Sequence, residues 1–171
     1  MSDEDLTPAF SHSFGDLAAR QQPGAKLGVV VVRIGTVTAL TCDPHRVVAP
    51  VLRGDDVVMP ARAGGVVVVF GDAHGIDDAV MVAERVRRLL HRWAVGHGEI
   101  ADISAGAAVA VEGENAIAAL DRAERALAQA RDCGGGRTVA RSVSRIPRQA
   151  NAPHSGSPAA VFDAAREDVA N

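Results

Sequence analysis

Arg62-Ala63-Gly64-Gly65-Val66-Val67-Val68-Val69-Phe70 places a glycine pair directly before a run of strand-forming residues. Glycine supplies the positive φ that a tight turn needs, and branched or aromatic side chains suit a pleated surface. Val57-Val58-Met59 lies just upstream and reads as a partner strand. The stretch therefore predicts a β-hairpin turning at Gly64 and Gly65.

Working outward, Leu27 to Ile34 is an almost unbroken apolar run rich in Val, as expected of a buried central strand. Before it, Thr7-Pro8 reads as a helix start, Phe10, Phe14 and Leu17 share one face, and Gln21 to Gly24 end the helix. Between residues 36 and 53, Pro44 and Pro50 exclude one long helix and imply short or irregular elements. After the hairpin, Asp77 is the expected cap of an amphipathic helix. That helix has Ala79, Ala83, Val86, Leu90 and Trp93 inward and Arg85, Arg88 and Arg92 mostly outside. Ile103 to Val111 returns to strand, and Asn115 to Asp132 is a second helix with Ile117, Leu120, Ala123, Leu127 and Ala130 inward. Gly134-Gly135-Gly136 stops it before a last short strand over Arg137 to Ala140. From Ser142 the composition turns to Ser, Pro, Arg, Asn and Gly, the mark of a flexible C-terminal tail over 142–171. A short helix could start at Ser157-Pro158 and run over 158–169, but its slight apolar face would leave it frayed. The alternation predicts an α/β (α+β) sandwich with a palm-like or ferredoxin-like antiparallel sheet flanked by helices.

The chain has 171 residues, 47% of them apolar, enough for one well-cored domain with tails. Four Phe, one Trp and no Tyr leave a core of small and branched side chains with few large anchors for a partner. A net charge of −3 gives no general pull towards nucleic acid. Cys42 and Cys133 lack paired spacing and read as reduced thiols, and the acidic start Met1 to Asp5 is unlike a signal peptide. No apolar run is long enough to cross a bilayer, so a cytoplasmic protein without membrane insertion is expected.

Several of these stretches, taken in order, resemble the GGDEF family, the diguanylate cyclases that condense GTP into cyclic di-GMP. Glu4-Asp5-Leu6-Thr7 is similar to the family's D-x-L-T opening, although Ser11-His12 departs from what should follow. Arg53-Gly54-Asp55-Asp56 matches R-x-x-D, and Ile103-Ser104-Ala105-Gly106 resembles the S-x-G strand. Ala123 to Arg131 resembles the late helix A-D-x-A-L-Y-x-A-K. The resemblance covers residues 4–140 and implies a nucleotidyl-cyclase-like fold in bacterial signalling.

The departures fall on the chemistry. The family holds Mg²⁺ with carboxylates at the end of the first strand and in the hairpin. Here those positions map to Arg33, Val66 and Val67, a fixed cation and two side chains without lone pairs. Val68 completes the degenerate signature of Gly64, Gly65, Val66 and Val67. The base-binding segment after the first strand has no counterpart, and Gly135 and Gly136 replace the Arg and Asn of the late loop. The expectation is a domain without catalysis, metal or cofactor, acting through a protein partner or self-association.

Two other readings stay open. Arg53 and Asp56 match the family's product-inhibition site, so the chain could be a cyclic di-GMP receptor. Arg suits phosphate and Asp suits guanine nitrogens. The bland alternative is a surface ion pair, and the spacing to the hairpin is longer than the family's. A divergent cyclase is the last reading, opposed by Val66 and Val67. Arg137, Arg141, Arg145 and Arg148 read as a solvated basic linker, Cys42 and His45 as an isolated pair without further zinc ligands, and His91 and His97 as exposed groups around Trp93.

Overall fold

The computed structural model describes residues 3–35, 43–61, 64–99 and 101–143, with side chains from Thr7 onward. Cys42, Arg62, Arg145, Arg148 and the expected helix over 158–169 fall outside the described residues. In chain order the elements are α1 (Asp3–Arg20), β1 (Lys26–Ile34), α2 (Pro44–Val48), a 3₁₀ turn (Ala49–Val51), β2 (Val57–Ala61) and β3 (Gly65–Ala73). Then follow α3 (Ile76–Gly96), β4 (Ile103–Val109), α4 (Ala116–Asp132) and β5 (Thr138–Arg141).

The strands form one sheet in the order β2-β3-β1-β4-β5. β2 to β4 pair antiparallel, as expected, but β5 runs parallel to β4. The reason is the connection: α4 carries the chain back along the sheet, so the next strand starts from the same end as β4. β1 is sandwiched between β3 and β4, and its valines alternate faces. Val30, Val32 and Ile34 join Val66, Val68 and Phe70 under Ala83, Val86 and Leu90 of α3. Val29 and Val31 join Val67 and Val69 under Phe10, Phe14 and Leu17 of α1 and Leu120 and Leu127 of α4. This double burial is why the central strands read as continuous apolar runs.

Close approach fixes several glycines. A Cβ on Gly106 would lie 2.1 Å from the Ala123 carbonyl oxygen, so α4 rests on β4 backbone to backbone. A Cβ on Gly28 would lie 2.0 Å from the Phe70 ring, which fills the missing side chain's place.

Several details differ from expectation. α1 begins at Asp3, with Pro8 inside it. A proline in the second turn removes one hydrogen bond and crowds the carbonyl four residues earlier, a cost confined to the start of an 18-residue helix. Asp77 does not cap α3. Gly75 holds the N-cap position, and the Asp78 carboxylate reaches back to accept from the His74 amide at 2.7 Å. Those amide contacts hold the Asp78 carboxyl below its usual range. β4 ends at Val109, where Val111 turns away to bond Glu114. Gly64 alone of the signature pair has positive φ, at 75°. Among the described residues, no helix is long and apolar enough to cross a membrane.

Candidate functional site

The register of β3 separates the residues of interest into two groups at opposite ends of the sheet. Gly65 pairs with Arg33 and Ala61 at one end, and Val69 pairs with Val57 towards the other. Four residue steps of strand, on the order of 14 Å, separate Gly65 from Val69.

At the hairpin end, Val66 and Val67 are strand residues and not part of the turn. Val66 pairs with Val32 and Pro60, Val67 with Val31 and Met59, and their exposures are 0% and 1%. Each is therefore core, on opposite faces. Val68 likewise packs under α3. Gly65 is required by contact, since a Cβ there would meet the Val32 carbonyl oxygen at 2.3 Å. Arg33 stands between Gly65 and Ser104 on the neighbouring strands, with its Nε buried and without a hydrogen-bond partner.

Asp102, also at this end, does not turn to the hairpin. Its backbone carbonyl accepts from Gly35, and its carboxylate accepts from the Gly136 amide. Gly134, Gly135 and Gly136 all have positive φ, and a Cβ on Gly135 would collide with that carboxylate. The buried Ser104 hydroxyl also accepts from Gly136, at 3.2 Å. The glycine loop after α4 is thus tied down by Asp102 and Ser104.

At the other end, Arg53 and Asp56 line a cleft of about 420 Å³ with Phe70, His74, Met81 and Arg85. The expected side-chain ion pair is replaced by a turn: the Asp56 carboxylate accepts from the Arg53 amide at 2.9 Å, and the Asp56 amide donates to the Arg53 carbonyl at 3.0 Å. A carboxylate three residues after an amide can close such a local ring more cheaply than it can order a long exposed guanidinium. Burial raises the Asp56 carboxyl above its usual range, against the opposing pull of the Arg53 amide and charge. The Arg53 guanidinium makes no hydrogen bond or ion pair with described residues. Arg85 crosses from α3 to donate to the Val51 carbonyl, which anchors the loop carrying Arg53.

Sequence reading found Arg53 and Asp56 but not Arg85, His74 or Asp78 as their neighbours. Arg85 was visible only as one of several outward arginines on α3. His91 and His97 are exposed as expected, with His97 Nδ1 at 2.8 Å from the Trp93 carbonyl. Arg137 and Arg141 are exposed, bonded to the Gly135 carbonyl and to Gln129.

A β-α-β-β-α-β core with sheet order 4-1-3-2, a glycine turn between β2 and β3 and an added parallel edge strand invites comparison with solved structures. The chain superposes on the diguanylate cyclase SiaD of Pseudomonas aeruginosa, solved in complex with its activator SiaC, with TM-score 0.66 and 19% identity over 78% of this chain and 57% of SiaD. The fold is that of a GGDEF domain.

The active GGEEF domain of a Vibrio cholerae diguanylate cyclase gives TM-score 0.62 at 17% identity, covering 80% of this chain and 94% of that domain. The GGDEF domain of DgcB from Caulobacter crescentus, in complex with cyclic di-GMP, gives 0.61 at 16%, covering 80% and 88%. Identities this low speak to the GGDEF fold and not to its chemistry. This chain spans little more than half the length of SiaD. No protein-family model and no curated protein matches the chain by sequence.

Proposed function

We propose that this GGDEF-fold domain does not condense GTP and serves bacterial signalling as a regulatory module that docks to a protein partner or to another copy of itself. The observation that carries this reading is the burial of Val66 and Val67 at 0% and 1% exposure, beside Arg33 at the end of β1. The divalent ion that the fold's cyclases need does not fit these residues. Two aliphatic side chains offer no ligand atoms, and a guanidinium repels a cation. Asp102, which reaches the same end, directs one carboxylate oxygen to the Gly136 amide. SiaD, solved in complex with its activator SiaC, is a precedent for a protein that contains this fold and acts with a protein partner.

A second reading rests on the opposite cleft. The unengaged Arg53 guanidinium and the nearby Arg85 suit the phosphates of cyclic di-GMP, and DgcB is known in complex with that ligand. Against it, one Asp56 oxygen is already committed to the Arg53 amide.

Calorimetric titration separates the readings, with GTP and Mg²⁺ in one series and cyclic di-GMP in the other, alongside chromatography of the GTP sample. The interaction module gives no heat and no product in either. A receptor gives heat with cyclic di-GMP that Arg53→Ala removes. Steady formation of cyclic di-GMP from GTP by the purified chain overturns the main reading.

A further inference from the structure

Among the described residues, one stripe of α3 is exposed, apart from the bond of Arg85 to the Val51 carbonyl. Met81, Arg85, Arg88, Arg92 and Val95 follow the helical repeat along its outer side. Met81 is 64% exposed and Val95 59% exposed, unusual for apolar residues at both ends of one stripe. An open groove of about 890 Å³ runs beside it, lined by Met81, Arg85, Arg88, His91 and Arg92. Arg88 leans on Glu84 and Arg85 on the Val51 carbonyl, while Arg92 has no hydrogen bond or ion pair among the described residues. The stripe is thus cationic in the middle and apolar at its ends, and it spans about 21 Å.

The chain itself carries the matching chemistry. Residues 158–169, Pro-Ala-Ala-Val-Phe-Asp-Ala-Ala-Arg-Glu-Asp-Val, hold Asp163, Glu167 and Asp168 against a single arginine. At helical spacing Phe162, Ala165 and Val169 form one stripe, with Asp163 and Glu167 beside it, over about 18 Å. The described chain ends at Val143, just past β5, and β5 packs near α3, where Arg87 donates to the Gly136 carbonyl at 3.0 Å. Residues 144–157 can extend about 45 Å, ample to bring the segment onto α3.

We infer that the acidic C-terminal segment 158–169 docks on the Met81–Val95 stripe of α3, its carboxylates on Arg88 and Arg92 and its apolar stripe on Met81 and Val95. The device is regulatory. Met81 and Arg85 are walls of both this groove and the Arg53 cleft, so the docked segment stands beside any anion entering that cleft.

The chain has three methionines, and two of them form a built-in experiment: Met81 is on the stripe and Met59 is 8% exposed in the core. The full chain, carbon-13 labelled at methionine methyls, is compared by NMR with the variant Asp163→Lys/Glu167→Lys/Asp168→Lys. The expected result is a shift of the Met81 resonance with Met59 unmoved. Adding Arg88→Glu/Arg92→Glu to the tail variant should bring Met81 back towards its wild-type position. Raising salt to 1 M, where screening acts within about 3 Å, should move wild-type Met81 towards the tail variant. Superimposable Met81 resonances in wild type and tail variant at low salt overturn the proposal. A wild-type Met81 shift that depends on protein concentration also overturns it, in favour of a second copy as occupant.

Discussion

Gly65 and Gly64 look interchangeable in sequence and are not. Gly64 is needed for its φ of 75°, whereas Gly65 is needed because any side chain would strike the Val32 carbonyl oxygen. Gly65→Ala should therefore destabilise the fold by about 1–3 kcal/mol, seen as a lower denaturant midpoint with unchanged slope. Val66 and Val67 carry a sharper test. Introducing acids with Val66→Asp/Val67→Glu puts carboxylates where exposure is 0% and 1%, one in each core. The expected outcome is a domain that melts well below the wild type and still forms no cyclic di-GMP, by circular dichroism and chromatography. The glycine pair was legible as a turn, but the separate reason for each glycine was not. It depends on how closely β1 passes β3, a distance that no local pattern encodes.

The elements were legible to the extent that one local rule governed them. The valine runs of β1 and β3 appear in sequence because both faces of these strands are buried, and the stripes of α3 and α4 because one face of each helix is. Caps and strand ends were missed where two neighbouring residues could serve, as with Asp77 and Asp78 in the first turn of α3. Contacts between elements were invisible. Arg122 of α4 meets Glu114 with one nitrogen, and with the other it reaches Glu114 at 2.9 Å and the Val109 carbonyl at 2.8 Å, pinning the end of β4 to the helix. Burial raises the Glu114 carboxyl, but Arg122 and the Val111 amide outweigh it and the net shift is downward. With side-chain exposures of only 14% and 10%, the pair is costly to break from one side. Arg122→Ala should lose about 3–5 kcal/mol by urea unfolding, and Glu114→Gln with Arg122→Met should recover part of that loss. The R-x-x-D cleft was half legible for the same reason: Arg53 and Asp56 are local to each other, but Arg85 comes from α3.

For the molecule as a whole, pH offers a simple readout of how the helices are held on the sheet. Hydrogen bonds from Arg87 hold Glu84 down to about 2, from an ordinary value of 4.5. Arg87 in turn donates to the Gly136 carbonyl, so this pair links α3 to the glycine loop after α4. A carboxyl with a depressed folded pKa lends stability that is complete above its unfolded value and lost as pH falls towards the folded one. Stability should therefore decline between roughly pH 5 and pH 2, and Glu84→Gln should flatten that decline while lowering stability at pH 7. Denaturant titrations at pH 7, 4 and 2.5 on both chains check the sign. The same fold that made the elements readable, strands and helices alternating along the chain, leaves assembly unreadable. What meets the exposed stripe of α3 depends on charge carried elsewhere in the chain or on another molecule.

Between the glycine turn and the Arg53 cleft lies a slab of valine sealed on both faces. Such a slab transmits little, because nothing polar runs through it and its close packing leaves few alternative arrangements. One border of the domain can thus be rewritten residue by residue while the other keeps its shape.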